Sequence, residues 1–103
     1  GVWNGRRLLP EGWVDFARTP APGYPSEAYG AQVWLNRHGW YTAPREVLVM
    51  SGAGDQIVLV DPEQRLVVVR MGHANRAHSA EATLNEVLAG IYAAIGAPLS
   101  PTP

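Results

Sequence analysis

Ser51-Gly52-Ala53-Gly54 is the stretch of this 103-residue chain whose residue types could do chemistry. A hydroxyl stands beside glycines, where backbone can come close to a bound molecule. The same residues also read as a plain glycine turn between two strands. Asp55 and Gln56 follow, either as polar contacts at a cleft rim or as the rest of that turn. His73 comes after the last strand candidate, where it either lines a pocket as an acid–base group or lies in a solvated loop. His38 reads as a loop residue and His78 as surface flanking a helix. These three His are dispersed with no paired spacing and there is no Cys, so no metal site, no disulfide and no cofactor is expected. Trp34, Trp40 and Tyr41 wall a substrate cleft or pack in a core.

The elements that must position these residues follow from pattern. Leu8-Leu9-Pro10-Glu11 ahead of Gly12-Trp13-Val14-Asp15-Phe16-Ala17-Arg18 predicts a short helix, with Pro10 at its first position and Trp13, Phe16 and Ala17 on one face. Residues 19–28 hold three Pro and one Gly and predict an irregular connection. A strand is expected over 29–36, a polar and aromatic loop over 37–45, and further strands over 47–51, 56–61 and 65–71. Asp61-Pro62-Glu63-Gln64 is type I turn chemistry, making the last two strands an antiparallel hairpin. Ser79 is the expected N-cap of a final amphipathic helix, in which Leu84, Val87, Leu88, Ile91, Tyr92 and Ile95 recur at helical spacing before Gly96 and Pro98 end it.

Composition narrows the function classes. Apolar residues make up 47%, charged residues 17%, and the net charge is −1, the profile of one globular unit. All eight basic residues are Arg, scattered and balanced by nine acids, so no basic stripe supports a nucleic-acid partner. The wholly apolar runs, Ile57 to Val60 and Leu66 to Val69, are far short of a membrane span. Those runs are apolar on both faces, as strands are in a sheet covered on both sides. The C-terminal helix can cover one side; the other calls for a missing N-terminal segment or a second copy of the chain. Both members of the pairs Val58/Leu59 and Val67/Val68 are accordingly expected to be buried.

A family resemblance joins these motifs. GVWNGRRLLPEGWVDFARTPAP, YGAQVWLN and SGAGDQIVLVDPEQRLVVVRMGH resemble, in order and spacing, three blocks near the C-terminus of class C β-lactamase-like (penicillin-recognising) serine hydrolases. The resemblance implies the α/β (α+β) fold of that group: an antiparallel sheet with N- and C-terminal helices on one face and an all-helical region on the other. It also implies acyl transfer from a small-molecule ester or amide, by a Ser in Ser-x-x-Lys assisted by a Tyr in Tyr-x-Asn. This chain has no Lys, and its Tyr residues are followed two positions on by Ser26, Ala31, Ala43 and Ala94, so neither motif is present. Met50-Ser51-Gly52-Ala53 stands where the family has Lys-Thr-Gly and a small residue. By that match the backbone N–H of Ala53 is one oxyanion-hole donor. Met50, Ser51, Gly52, Gly54 and His73 then belong to the substrate pocket. Met50 in place of Lys removes the cation that would meet a substrate carboxylate, which points to the esterase and nylon-oligomer hydrolase branches. The reading is thus the C-terminal portion of such a hydrolase, inactive by itself. The alternative is a non-catalytic α/β module that dimerises or binds a partner through its apolar sheet face.

Overall fold

Asn4-Gly5 supplies the two left-handed residues of a tight turn, with φ of 49° and 73°. They join β1 (Val2–Trp3) to β2 (Arg6–Arg7) as a two-residue hairpin, the connection that this dipeptide favours most strongly. The computed structural model describes residues 1–74 and 81–99, and it shows a small α+β domain. After the hairpin come α1 (Trp13–Ala17), β3 (Trp34–Leu35), β4 (Leu48–Gly52), β5 (Gln56–Asp61), β6 (Leu66–Arg70) and α2 (Glu81–Ile95). The last four strands form one antiparallel sheet in the order β3-β4-β5-β6.

The strand expected over 29–36 is mostly a turn. Only Trp34 and Leu35 pair with β4, while Tyr29 folds back to bridge Trp34. Gln32 is left-handed at φ 67°, and the Gly30 N–H donates to the Val33 carbonyl at 2.8 Å. Gly30 is required by proximity: a Cβ there would lie 2.1 Å from the Ala17 carbonyl oxygen and 3.2 Å from Leu35 Cδ2. Alternation failed as a guide because this segment is shaped by its contact with α1.

The expected α1 is also shortened. Gly12, left-handed at φ 78°, precedes a five-residue helix beginning at Trp13, so Pro10 lies outside it. Of the expected apolar face only Ala17 is buried; Trp13 and Phe16 stack on each other at 5.5 Å and stay open to solvent.

Side-chain alternation gives the sheet two unlike faces. Val49, Ile57 and Leu59 point toward α2 and form the core with its Leu84, Leu88 and Tyr92. Spacing of four residues puts those three α2 side chains on one stripe. Val87 and Ile95, expected on the same face, are instead about half exposed, at 50% and 48%. On the opposite face Leu35 and Leu48 are buried at the end of the sheet where α1 stops against Gly30 and Leu35. Farther along, that second face opens: Met50, Val67 and Val69 are 44%, 59% and 56% exposed, and Val58 and Val60 are half-buried. Of the pairs expected to be buried on both faces only Leu59 is so; Val58 and Val68 are half-buried and Val67 is exposed, because nothing among the described residues covers that face of β6. The expected N-cap Ser79 lies outside the described residues.

One buried polar pair ties α2 to the sheet. The Tyr92 hydroxyl, fully buried, donates to Asp61 Oδ2 at 2.8 Å. Asp61 Oδ1 accepts the Glu63 and Gln64 N–H groups at 3.1 and 3.2 Å, shaping the β5–β6 turn anticipated from Asp61-Pro62. Burial, followed by the hydrogen bond and charge of Asp61, pushes the Tyr92 phenol well above its ordinary value of 10.0. The protonated phenol is thus favoured by the fold. Its stabilising contribution is complete below pH 10 and declines above it, as unfolded tyrosine ionises first. Denaturation midpoints between pH 9 and 11 should therefore fall more steeply for the native chain than for Tyr92→Phe; equal slopes would contradict this.

Candidate functional site

The row Ser51–Ile57–Arg70 crosses β4, β5 and β6 on the α2 side of the sheet. Beside it lies a cleft of about 360 Å³, closed by Trp40 and Tyr41 from the loop before β4, by Asp55 from the β4–β5 turn, and by Glu81 and Leu84 from α2.

Two asparagines hold the loop that carries the aromatic wall. Asn36, fully buried, donates through Nδ2 to the carbonyls of Tyr41, Ala43 and Pro44 at 3.0, 3.1 and 3.2 Å. Its Oδ1 accepts the Tyr41 N–H at 3.0 Å. From α2, Asn85 accepts the Thr42 N–H at 2.8 Å and donates to the Trp40 carbonyl at 3.1 Å. A loop whose backbone groups are satisfied in this way can be irregular and still keep fixed geometry. Neither asparagine was singled out from sequence. The available signal was a polar residue ending an apolar run, which marks Asn36 only once its burial is known.

The β4–β5 turn is anchored as firmly. Gly54 and Asp55 are both left-handed, at φ 79° and 65°. The Gly54 carbonyl accepts the Ala74 N–H at 2.9 Å, and Arg70 Nη1 donates to the Asp55 carbonyl at 2.6 Å. Gln56 clasps Gly72 through both ends of its amide, the Gly72 N–H reaching Oε1 at 2.9 Å. The turn that follows β4 is thereby fastened to the segment that follows β6.

The residues singled out from sequence separate in space. Ser51 lines the cleft. Gly52, Ala53 and Gly54 form the end of β4 and the turn between Ser51 and Asp55, and Ala53 is exposed. Met50 points to the opposite face of the sheet, away from the cleft, since it alternates with Ser51. His73 is outside the cleft lining: its ring packs over Gly54, where a Cβ would lie 2.6 Å from Nδ1. Of the three aromatics proposed as a wall, Trp40 and Tyr41 are there, whereas Trp34 packs against the core and pairs edge-on with Tyr29.

Burial, with the carboxylates of Glu81 and Asp55 adding to it, raises the Tyr41 phenol above its usual value. Tyr41 thus remains protonated at neutral pH and acts as a hydrogen-bond group, not a base. Among the described residues no three His, Asp or Glu gather as a metal site. No helix among them is long and apolar enough to cross a membrane. Set against protein-family models, curated proteins and solved structures, the chain matches none.

Proposed function

We propose that this chain is the C-terminal part of a serine hydrolase of the penicillin-recognising type, acting on a small ester or amide through an acyl-enzyme. The observation that carries the proposal is the half-open sheet. β6 is an edge strand with a free outer side among the described residues, and the face bearing Met50, Val67 and Val69 is apolar and uncovered. A soluble domain seldom leaves such a surface bare. A further layer packed there would complete the sandwich that the sequence resemblance implies.

In this reading the nucleophilic serine comes from that further layer. It attacks the substrate carbonyl, the carbonyl oxygen becomes an oxyanion, and the alcohol or amine leaves as the acyl-enzyme forms; water then releases the acid. The Ala53 N–H is one of two donors to the oxyanion. Such a donor stabilises charge that exists only in the intermediate and transition state, so it raises the rate of the chemical step. Ser51 contributes a hydroxyl to the cleft wall. Met50, where the family has a cation, is turned from the cleft and is no partner for a substrate carboxylate.

The same open face also favours a second reading, a non-catalytic module that pairs with a copy of itself or a partner. One substitution tests the role given to Ala53 in the first reading. In the complete enzyme, Ala53→Pro removes the N–H and should lower kcat by about 10²–10³, the loss usual for one oxyanion donor. Its thermal midpoint must stay near that of the parent for the rate to be interpretable. A folded variant with unchanged kcat would remove Ala53 from the mechanism.

A further inference from the structure

Two aromatic rings stand at the cleft in a way that the core does not require. Trp40 is 48% exposed and lies outside the core cluster, and Tyr41 is only half-buried against it. Yet the backbone of both is fixed. The fully buried Asn36 holds Tyr41 at its N–H and its carbonyl, and Asn85 holds the Trp40 carbonyl. A loop ordered in this way before any ligand arrives avoids the ordering cost that loops ordinarily meet on binding.

The partners of the rings supply a second, independent observation. Elsewhere the aromatics pair with one another: Trp13 with Phe16, and Tyr24, Tyr29 and Trp34 in a mutual cluster with centroids 4.9 to 6.0 Å apart. Trp40 meets His38 at 5.6 Å, whereas among the described residues no ring packs on Tyr41. Ile57 and Leu84, both buried, complete an apolar lining beside the two rings in a cleft of about 360 Å³. A protein cavity of about 150 Å³ already holds benzene, so a substituted ring fits here with room for a polar group. The Ser51 hydroxyl lines the same cleft and can donate to such a group or accept from it. A ligand ring would give Tyr41 the edge-to-face or offset contact that the other aromatics already have.

We infer that the cleft binds an aromatic ring, and that the ester or amide acted on carries that ring as an aryl or benzyl group. The first half stands on the cleft alone; the second rests on the hydrolase reading. The test compares a planar ring with a saturated one of nearly the same size and the same charge. Benzyl alcohol and cyclohexylmethanol are titrated into the polypeptide in which this chain naturally occurs, and backbone amide NMR reports both affinity and site. Burial of apolar area alone favours the saturated ring, the more hydrophobic of the two. The expected result is the reverse: saturable binding of benzyl alcohol, about fivefold tighter than cyclohexylmethanol, the ratio that an aromatic contact gives beyond its area. The shifts should centre on residues 40–42 and 51. The preference should vanish in Trp40→Leu and persist in Trp40→Phe, substitutions at a position outside the core. Benzyl acetate should then be hydrolysed with a kcat/KM about fivefold above that of cyclohexylmethyl acetate, which releases an alcohol of similar leaving ability. Selective binding with neither ester cleaved would leave the ring site standing and contradict the hydrolase reading alone. Equal affinities for the two alcohols, shifts located elsewhere, or a preference unchanged in Trp40→Leu would overturn the inference, whether or not the esters are cleaved.

Discussion

Asn36→Asp should leave the chain about 3–5 kcal/mol less stable at neutral pH, the range for an unpaired charge forced into a protein interior. The substitution keeps shape and volume, so packing is not the cause. Asn36 is fully buried and its Nδ2 faces three carbonyl oxygens between 3.0 and 3.2 Å away. A carboxylate oxygen there would meet three acceptors and no donor. Protonation relieves the repulsion, but holding an aspartate neutral at pH 7, about three units above its ordinary pKa, itself costs about 4 kcal/mol. Either route takes a large share of the 5–15 kcal/mol that stabilises a typical domain. The sign with pH follows. The introduced carboxyl has a folded pKa raised above its unfolded value, so the fold favours the protonated form and the deficit shrinks as pH falls toward 4. Urea denaturation at pH 7 and pH 4.5 measures both effects; a variant as stable as the parent at pH 7 would show that Asn36 does not hold the loop as described.

Asp61→Ala should cost roughly 3 kcal/mol, combining an orphaned buried hydroxyl with two lost turn contacts. The Tyr92 hydroxyl would have no acceptor in a core from which water is excluded, and the Glu63 and Gln64 N–H groups would lose Oδ1. Asp61→Asn keeps an oxygen for the turn and an amide that can face the phenol oxygen, so its cost should be far smaller. The order of the two variants, Ala well below Asn in denaturation midpoint, is the diagnostic. Equal midpoints for both would mean that the hydrogen bonds contribute little and that volume alone matters there.

The parts of the fold legible in the sequence are those where one physical rule acts alone. β5 has the bounds its pattern predicted, because an apolar run flanked by a glycine turn and Asp61-Pro62 admits one element. The core stripe of α2 was likewise readable, though Val87 and Ile95 were placed on it when its width is set by Leu84, Leu88 and Tyr92. The segment 29–36 misled because two rules compete there. Alternation calls for a strand, while Gly30 allows a close approach to the end of α1 that turns the chain. Asn4-Gly5 is legible by the same standard, since the dipeptide alone specifies the two-residue turn between β1 and β2. At the cleft, Ser51 and the neighbouring turn were readable from residue type. Arg70, Glu81 and Asn85 were not, since they are brought there by sheet register and by the seating of α2, neither of which leaves a local mark in the sequence.

Expecting a covering layer over Val67 and Val69 comes from the same logic of burial that predicted the core, and it is the ground on which the hydrolase proposal stands. The most direct measurement is to treat the polypeptide in which this chain naturally occurs with a serine-reactive fluorophosphonate and map the adduct by mass spectrometry. The account predicts stoichiometric labelling of the serine of a Ser-x-x-Lys motif outside these 103 residues, with Ser51 unmodified. Labelling of Ser51, or no labelled serine in the folded protein, would contradict it.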